Sequence, residues 1–100
     1  MLVTPTTAIL PPPVGSVLEQ AHAKPGEPVD AVLAMVAFTV FANITGLPAI
    51  SLPVHWTDDG LPVGAQLVGS PFCEAQLIRL ARVLEQALPW ADHRPALSAA

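Results

Sequence analysis

The run from Ala31 to Ala42 is twelve residues long and apolar except for Thr39. Within it Ala31, Val32, Leu33, Ala34, Met35, Val36, Ala37 and Phe38 leave no polar face. Read as a helix over residues 29–44, this segment is apolar all round, and such a helix is buried on every side. A chain of 100 residues can form one domain with a modest core, but it has little material with which to wrap a helix like this. The run falls short of the roughly 20 residues a membrane span needs. The amino terminus has no basic region, and Pro5 precedes any stretch that could serve as the apolar part of a signal peptide. Membrane insertion is therefore disfavoured, and the helix must be covered by protein.

Composition points the same way. Charged residues make up 12 % and apolar residues 52 %, whereas soluble domains carry about 25 % charged residues. A small domain has much surface for its volume and needs polar cover. The formal net charge is −4, with only four Lys and Arg residues, which argues against nucleic acid as a partner. The single cysteine, Cys73, rules out an internal disulfide and a multi-cysteine metal site, and it suits a reducing cytoplasm.

Along the chain, Leu2 and Val3 end a short buried strand that runs into Thr4-Pro5-Thr6-Thr7. Pro11-Pro12-Pro13 is a rigid extended connector, and Lys24-Pro25-Gly26-Glu27-Pro28 continues the irregular stretch, so residues 1–28 read as a strand and a proline-rich loop. After the 29–44 helix, Ala49–Val54 and Val63–Val68 are strands joined through Asp58-Asp59-Gly60, a β-hairpin over residues 49–69. Pro53 lacks a ladder donor and belongs at an edge or a bulge. Leu77, Leu80, Ala81, Leu84 and Leu88 form one stripe of an amphipathic helix over residues 73–88, which Pro89 stops. Residues 89–100 are a loosely held tail. The fold class is α/β, a partial mixed sheet flanked by helices.

Catalytic patterns are missing. His22, His55 and His93 lie more than thirty positions apart and read as surface histidines, so neither a metal nor a cofactor is expected. Ser16 and Ser70 follow glycines but lie in no Gly-x-Ser-x-Gly elbow. Lys24 has no apolar surroundings in sequence to depress its pKa. The carboxylates Glu19, Glu27, Asp30, Asp58 and Asp59 show no paired arrangement. Ser51 and Thr45 read as backbone hydrogen-bonding groups near a turn.

The motifs "TPTT", "FANITGLPAISLPV" and "DDGLPVGAQLVGSPFCEAQLIRLARVLEQA", followed by "PW" and "HRP", recur in order over residues 2 to 95. In this the chain resembles the carboxy-terminal stretch of the amidase signature family. The resemblance implies an α/β/α sandwich and hydrolysis or transfer at a carboxamide C–N bond. Family members use a serine nucleophile, a cis-serine and a lysine, carried on a Gly-Ser-Ser-Gly-rich segment and a region before it. Nothing in this sequence matches that segment, so no catalytic residue carries over. The resemblance further implies that Thr6, Met35, Val36 and Thr39 line the substrate cavity. It assigns Asn43 and Gly46 to the turn leaving the helix, and Gln66 to the satisfaction of buried polar groups. Glutamine-using members commonly place an acid where this chain has Val36, which leans the substrate toward a hydrophobic or aromatic amide.

Three roles compete. The chain is the carboxy-terminal portion of an amidase, inactive until the missing amino-terminal portion joins it. Alternatively it is a non-catalytic module that binds another protein through an open sheet edge, or it is the remnant of a truncated gene.

Overall fold

The computed structural model describes residues 1–17 and 30–94. The readings made above for Glu19, His22, Lys24, the rest of the 24–28 stretch and residues 95–100 lie outside them. In chain order the elements are β1 (Leu2–Pro5), α1 (Asp30–Val36), α2 (Thr39–Thr45), β2 (Ala49–Trp56), β3 (Pro62–Val68) and α3 (Glu74–Ala87).

The hairpin of β2 and β3 turns on Thr57. Its N–H donates to the Leu61 carbonyl at 3.0 Å, and its Oγ1 accepts from the Leu61 N–H at 2.9 Å. The same hydroxyl donates to Asp59 Oδ1 at 2.6 Å. Gly60, at φ 84°, donates its N–H back to the Thr57 carbonyl at 2.9 Å. An L side chain would be strained at that φ, so glycine is the residue the turn requires. The register that results sets Ile50 opposite Leu67 and Ser51 opposite Gln66. It shifts between Pro53 and His55, where proline has no N–H to give to the ladder. On the other edge of β3, β1 pairs with Thr4 opposite Gln66. The sheet order is β1-β3-β2, and the three described strands are all antiparallel.

Side chains alternate across a strand, and this sheet has two unlike faces. Leu52 and Leu67 pack with Leu77 of α3 in the buried core. Ile50, Val54, Leu80, Ala81, Leu84 and Trp90 surround them. The apolar stripe read from the sequence therefore meets the sheet, although Leu88 at its end is exposed. The opposite face carries Thr4, Ser51 and Gln66, and α2 stands over it across a cavity. The fold is thus α/β, with helices on both sides of a sheet.

The 29–44 segment differs from the single buried helix expected. It breaks at Ala37 and Phe38 into α1 and α2, and the Ala34 carbonyl, which a continuous helix would give to the Phe38 N–H, accepts from the Ala8 N–H at 3.0 Å. Nor is it enclosed within this chain: Leu33, Val36, Val40, Phe41 and Ile44 are all exposed, Ile44 to 78 %. The apolar helix surface that burial should cover is open. Among the described residues no helix is long and apolar enough to cross a membrane.

The hairpin turn has a pH signature. The Thr57 hydroxyl, helped by the Asp59 backbone N–H, holds the exposed Asp59 carboxyl below its ordinary carboxylate value. A lowered folded-state pKa means this contribution is complete above the unfolded-state pKa and is lost as pH falls through the folded one. Thr57→Val removes the main cause. Carbon-detected NMR titration should show the Asp59 midpoint rising toward the ordinary value in that variant, and an unchanged midpoint would contradict the assignment.

Candidate functional site

Among the described residues, hydroxyl and amide side chains converge on the polar face of the sheet. Gln66 is 4 % exposed, the sole buried polar residue among those described. Its Nε2 donates to Thr4 Oγ1 at 3.2 Å and to the Phe38 carbonyl at 3.1 Å. One amide thus joins β1, β3 and the break between α1 and α2. A buried donor left unpaired is destabilising, which gives this position a reason to be glutamine. No buried polar side-chain atom among the described residues lacks a partner.

Beside Gln66, Thr6 Oγ1 and Ser51 Oγ lie 2.6 Å apart, and the Thr6 N–H donates to the Gly64 carbonyl at 2.9 Å. Gly64 makes this approach possible. A Cβ there would stand 2.6 Å from Thr6 Oγ1, 3.1 Å from Thr6 Cβ and 3.2 Å from Ser51 Oγ. Among the described residues neither hydroxyl is hydrogen-bonded to an acid or a base, so the pair is a structural clasp with no nucleophile–base geometry.

A cavity of about 340 Å³ opens on this face between α2 and the sheet, lined by Thr39, Asn43, Ser51 and Gln66 together with the apolar Ala42, Leu47, Ala49 and Ile50. Of the residues that the resemblance singles out, Thr39 and Asn43 line it directly. Thr6 reaches its edge through Ser51. Met35 and Val36 are not in its lining, and Val36 closes α1, its carbonyl accepting from Thr39 Oγ1 at 3.4 Å. Gly46 ends α2 at φ 68°, donating its N–H to the Ala42 carbonyl at 2.9 Å.

Thr45 bonds backbone, its Oγ1 donating to the Phe41 carbonyl at 2.8 Å. Ser51 does not follow the turn reading, because its partner is a side chain forty-five positions away. Strand alternation on "ISLPV" could have assigned Ser51 to the polar face, but nothing in sequence names Thr6 as its partner. At the far end of the hairpin, His93 stacks on Trp56 with ring centroids 4.0 Å apart. The segment read as a loose tail is therefore held at least to that residue. Among the described residues no cluster of His, Cys, Asp and Glu could hold a metal ion.

Known proteins match this chain in both sequence and fold. A family model described as Amidase matches residues 1–78, and the chain belongs to the amidase family. The 6-aminohexanoate-cyclic-dimer hydrolase of Paenarthrobacter ureafaciens is 37 % identical over 97 % of this chain and 20 % of its own length. A glutamyl-tRNA(Gln) amidotransferase subunit of Thermodesulfovibrio yellowstonii is 46 % identical over 74 % of this chain and 16 % of its own. A solved 6-aminohexanoate cyclic dimer hydrolase superposes with a TM-score of 0.80 at 36 % identity, covering 96 % of this chain and 21 % of that one. The chain spans about a fifth of the length of these relatives.

Two substitutions test the site. Gln66→Leu leaves the Phe38 carbonyl and the Thr4 hydroxyl without their partner and should destabilise β1 and its contact with the helix break by about 1–3 kcal/mol. Amide hydrogen exchange in β1 should then accelerate about fivefold or more; unchanged protection would refute the tie. Gly64→Ala should cost about 1–3 kcal/mol through overpacking, read as faster exchange of the Thr6 amide. Adding Thr6→Ala should recover part of the loss, since it removes the 2.6 Å clash and leaves the 3.1 Å one.

Proposed function

We propose that this chain is the carboxy-terminal part of an amidase-family hydrolase, active on carboxamide C–N bonds only when a larger protein body completes the fold and supplies the reacting groups. The observation that carries the proposal is the superposition on a 6-aminohexanoate cyclic dimer hydrolase over 96 % of this chain, with no nucleophile and base brought together among the described residues. The uncovered helices α1 and α2 support the need for that body.

In this reading a serine of the completing body attacks the amide carbonyl, the amine leaves, and water cleaves the resulting ester. This chain contributes the polar face. Thr39, Asn43 and Ser51 offer neutral hydrogen-bonding groups beside an apolar wall of Ala42, Leu47 and Ile50. Among the described residues no charged side chain lines that cavity, and Val36, which lies outside it, stands where glutamine-using members place an acid. The substrate class is then an uncharged amide with a hydrophobic or aromatic portion. A cytoplasmic setting belongs to the same proposal and rests on the single cysteine.

The test is complementation. The chain is mixed with the Paenarthrobacter ureafaciens relative from which the matched segment has been deleted, and hydrolysis of that relative's cyclic dimer and of a simple aryl amide is followed by amine release. Restored hydrolysis that neither component shows alone is the expected result. Absence of hydrolysis in an assembled mixture would refute the enzymatic reading.

A further inference from the structure

The tip of the hairpin brings a carboxyl and a backbone nitrogen together in an order found nowhere else in the chain. Of the aspartates Asp30, Asp58, Asp59 and Asp92, only Asp59 is followed by a glycine. A glycine nitrogen has no side chain beside it, so it is the backbone nitrogen least hindered from reaching the carboxyl that precedes it. The turn around Gly60 is open as well: apart from its chain neighbours, no atom lies within 4 Å of where a Cβ would stand. Asp59 is exposed, so water has access to the carboxyl and to whatever forms there.

Thr57 engages both partners of that encounter. Its hydroxyl donates to Asp59 Oδ1 at 2.6 Å, and its carbonyl accepts from the Gly60 N–H at 2.9 Å. The first bond fixes the carboxylate, and the second turns the Gly60 N–H toward a carbonyl. The hydroxyl bond is also the main reason the Asp59 carboxyl stays below its ordinary value and ionised. A carboxylate is a poorer electrophile than the neutral acid, because its charge repels an incoming lone pair. One residue thus restrains electrophile and nucleophile together.

We propose that Asp59–Gly60 is a site of spontaneous isoaspartate formation and that Thr57 is the residue that slows it. In the first step the Gly60 nitrogen attacks Asp59 Cγ. An N–Cγ bond forms, a Cγ–O bond breaks, and the oxygen leaves as water with the amide proton and the carboxyl proton. Water then opens the resulting five-membered ring. Cleavage of the new N–Cγ bond returns aspartate, whereas cleavage between the Asp59 main-chain carbonyl and that nitrogen gives isoaspartate. Water is the only other reactant. The isoaspartate link runs through Cβ and Cγ and lengthens the main chain by one atom between Thr57 and Leu61. The two bonds that join those residues, at 3.0 and 2.9 Å, are set for the shorter path, so the modification loosens the end of the hairpin.

The full chain is aged at body temperature and neutral pH as wild type, Thr57→Val and Thr57→Ser, the last of which keeps the hydroxyl. Isoaspartate at each aspartate is counted by peptide mass spectrometry with electron-transfer fragmentation. The expected result is modification at Asp59 ahead of the others, about threefold or more faster in Thr57→Val than in wild type. Thr57→Ser should age like wild type, and Asp58 should keep its wild-type rate in every variant. Equal rates in wild type and Thr57→Val, or modification led by another aspartate, overturn the proposal. Acceleration shared by Asp58 or by Thr57→Ser traces the effect to loss of the folded hairpin and overturns the role of the Thr57 hydroxyl.

Discussion

The Gln66 amide holds the architecture together. Alone among the described residues it is a polar side chain buried in the sheet, and its two donated bonds reach the first strand and the helix break. At that break the Ala34 carbonyl accepts from the Ala8 N–H, which takes it out of the ladder that would have kept the long apolar run one helix. The cavity beside it exists because α2 leaves the break in its own direction and stands over Ser51 and Gln66. Around the amide, small groups do the rest. Gly64 lets the β1 loop approach closely enough for Thr6 to meet Ser51, so the polar face is closed by a residue with no side chain.

The two faces of the sheet have different fates. One is complete, since Leu52, Leu67 and Leu77 are buried and α3 covers them. The other is not, since the helices lying over it turn Leu33, Val40, Phe41 and Ile44 outward. Contiguous apolar surface is the kind that contact with other protein covers. The relatives this chain matches are about five times longer, and among the described residues no nucleophile and base are brought together.

Much of this was legible in the residues. The stripe of α3, the Asp-Gly turn and the displaced register at Pro53 each follow from a local rule of period, φ or missing donor. The mismatch between an all-apolar segment and a short chain announced the open helix surface. What escaped depends on distance. The break before α2 is met by bonds from Ala8 and from Gln66, both distant in sequence, and the Thr6–Ser51 clasp spans forty-five positions. The stacking of His93 on Trp56 likewise has no signal in local composition. Of the candidate site, Thr39 came from the family pattern, whereas Ser51 emerged only when the strands were paired.

The central claim, that this chain needs other protein to cover its apolar helices, is tested most directly by scanning calorimetry of the chain alone at low concentration. A self-sufficient domain of this length unfolds in one sharp transition with an enthalpy of about 60–80 kcal/mol. The account predicts a broad transition well below that value, with α3 and the hairpin melting as a small core. A sharp monomeric transition with the full enthalpy would contradict it.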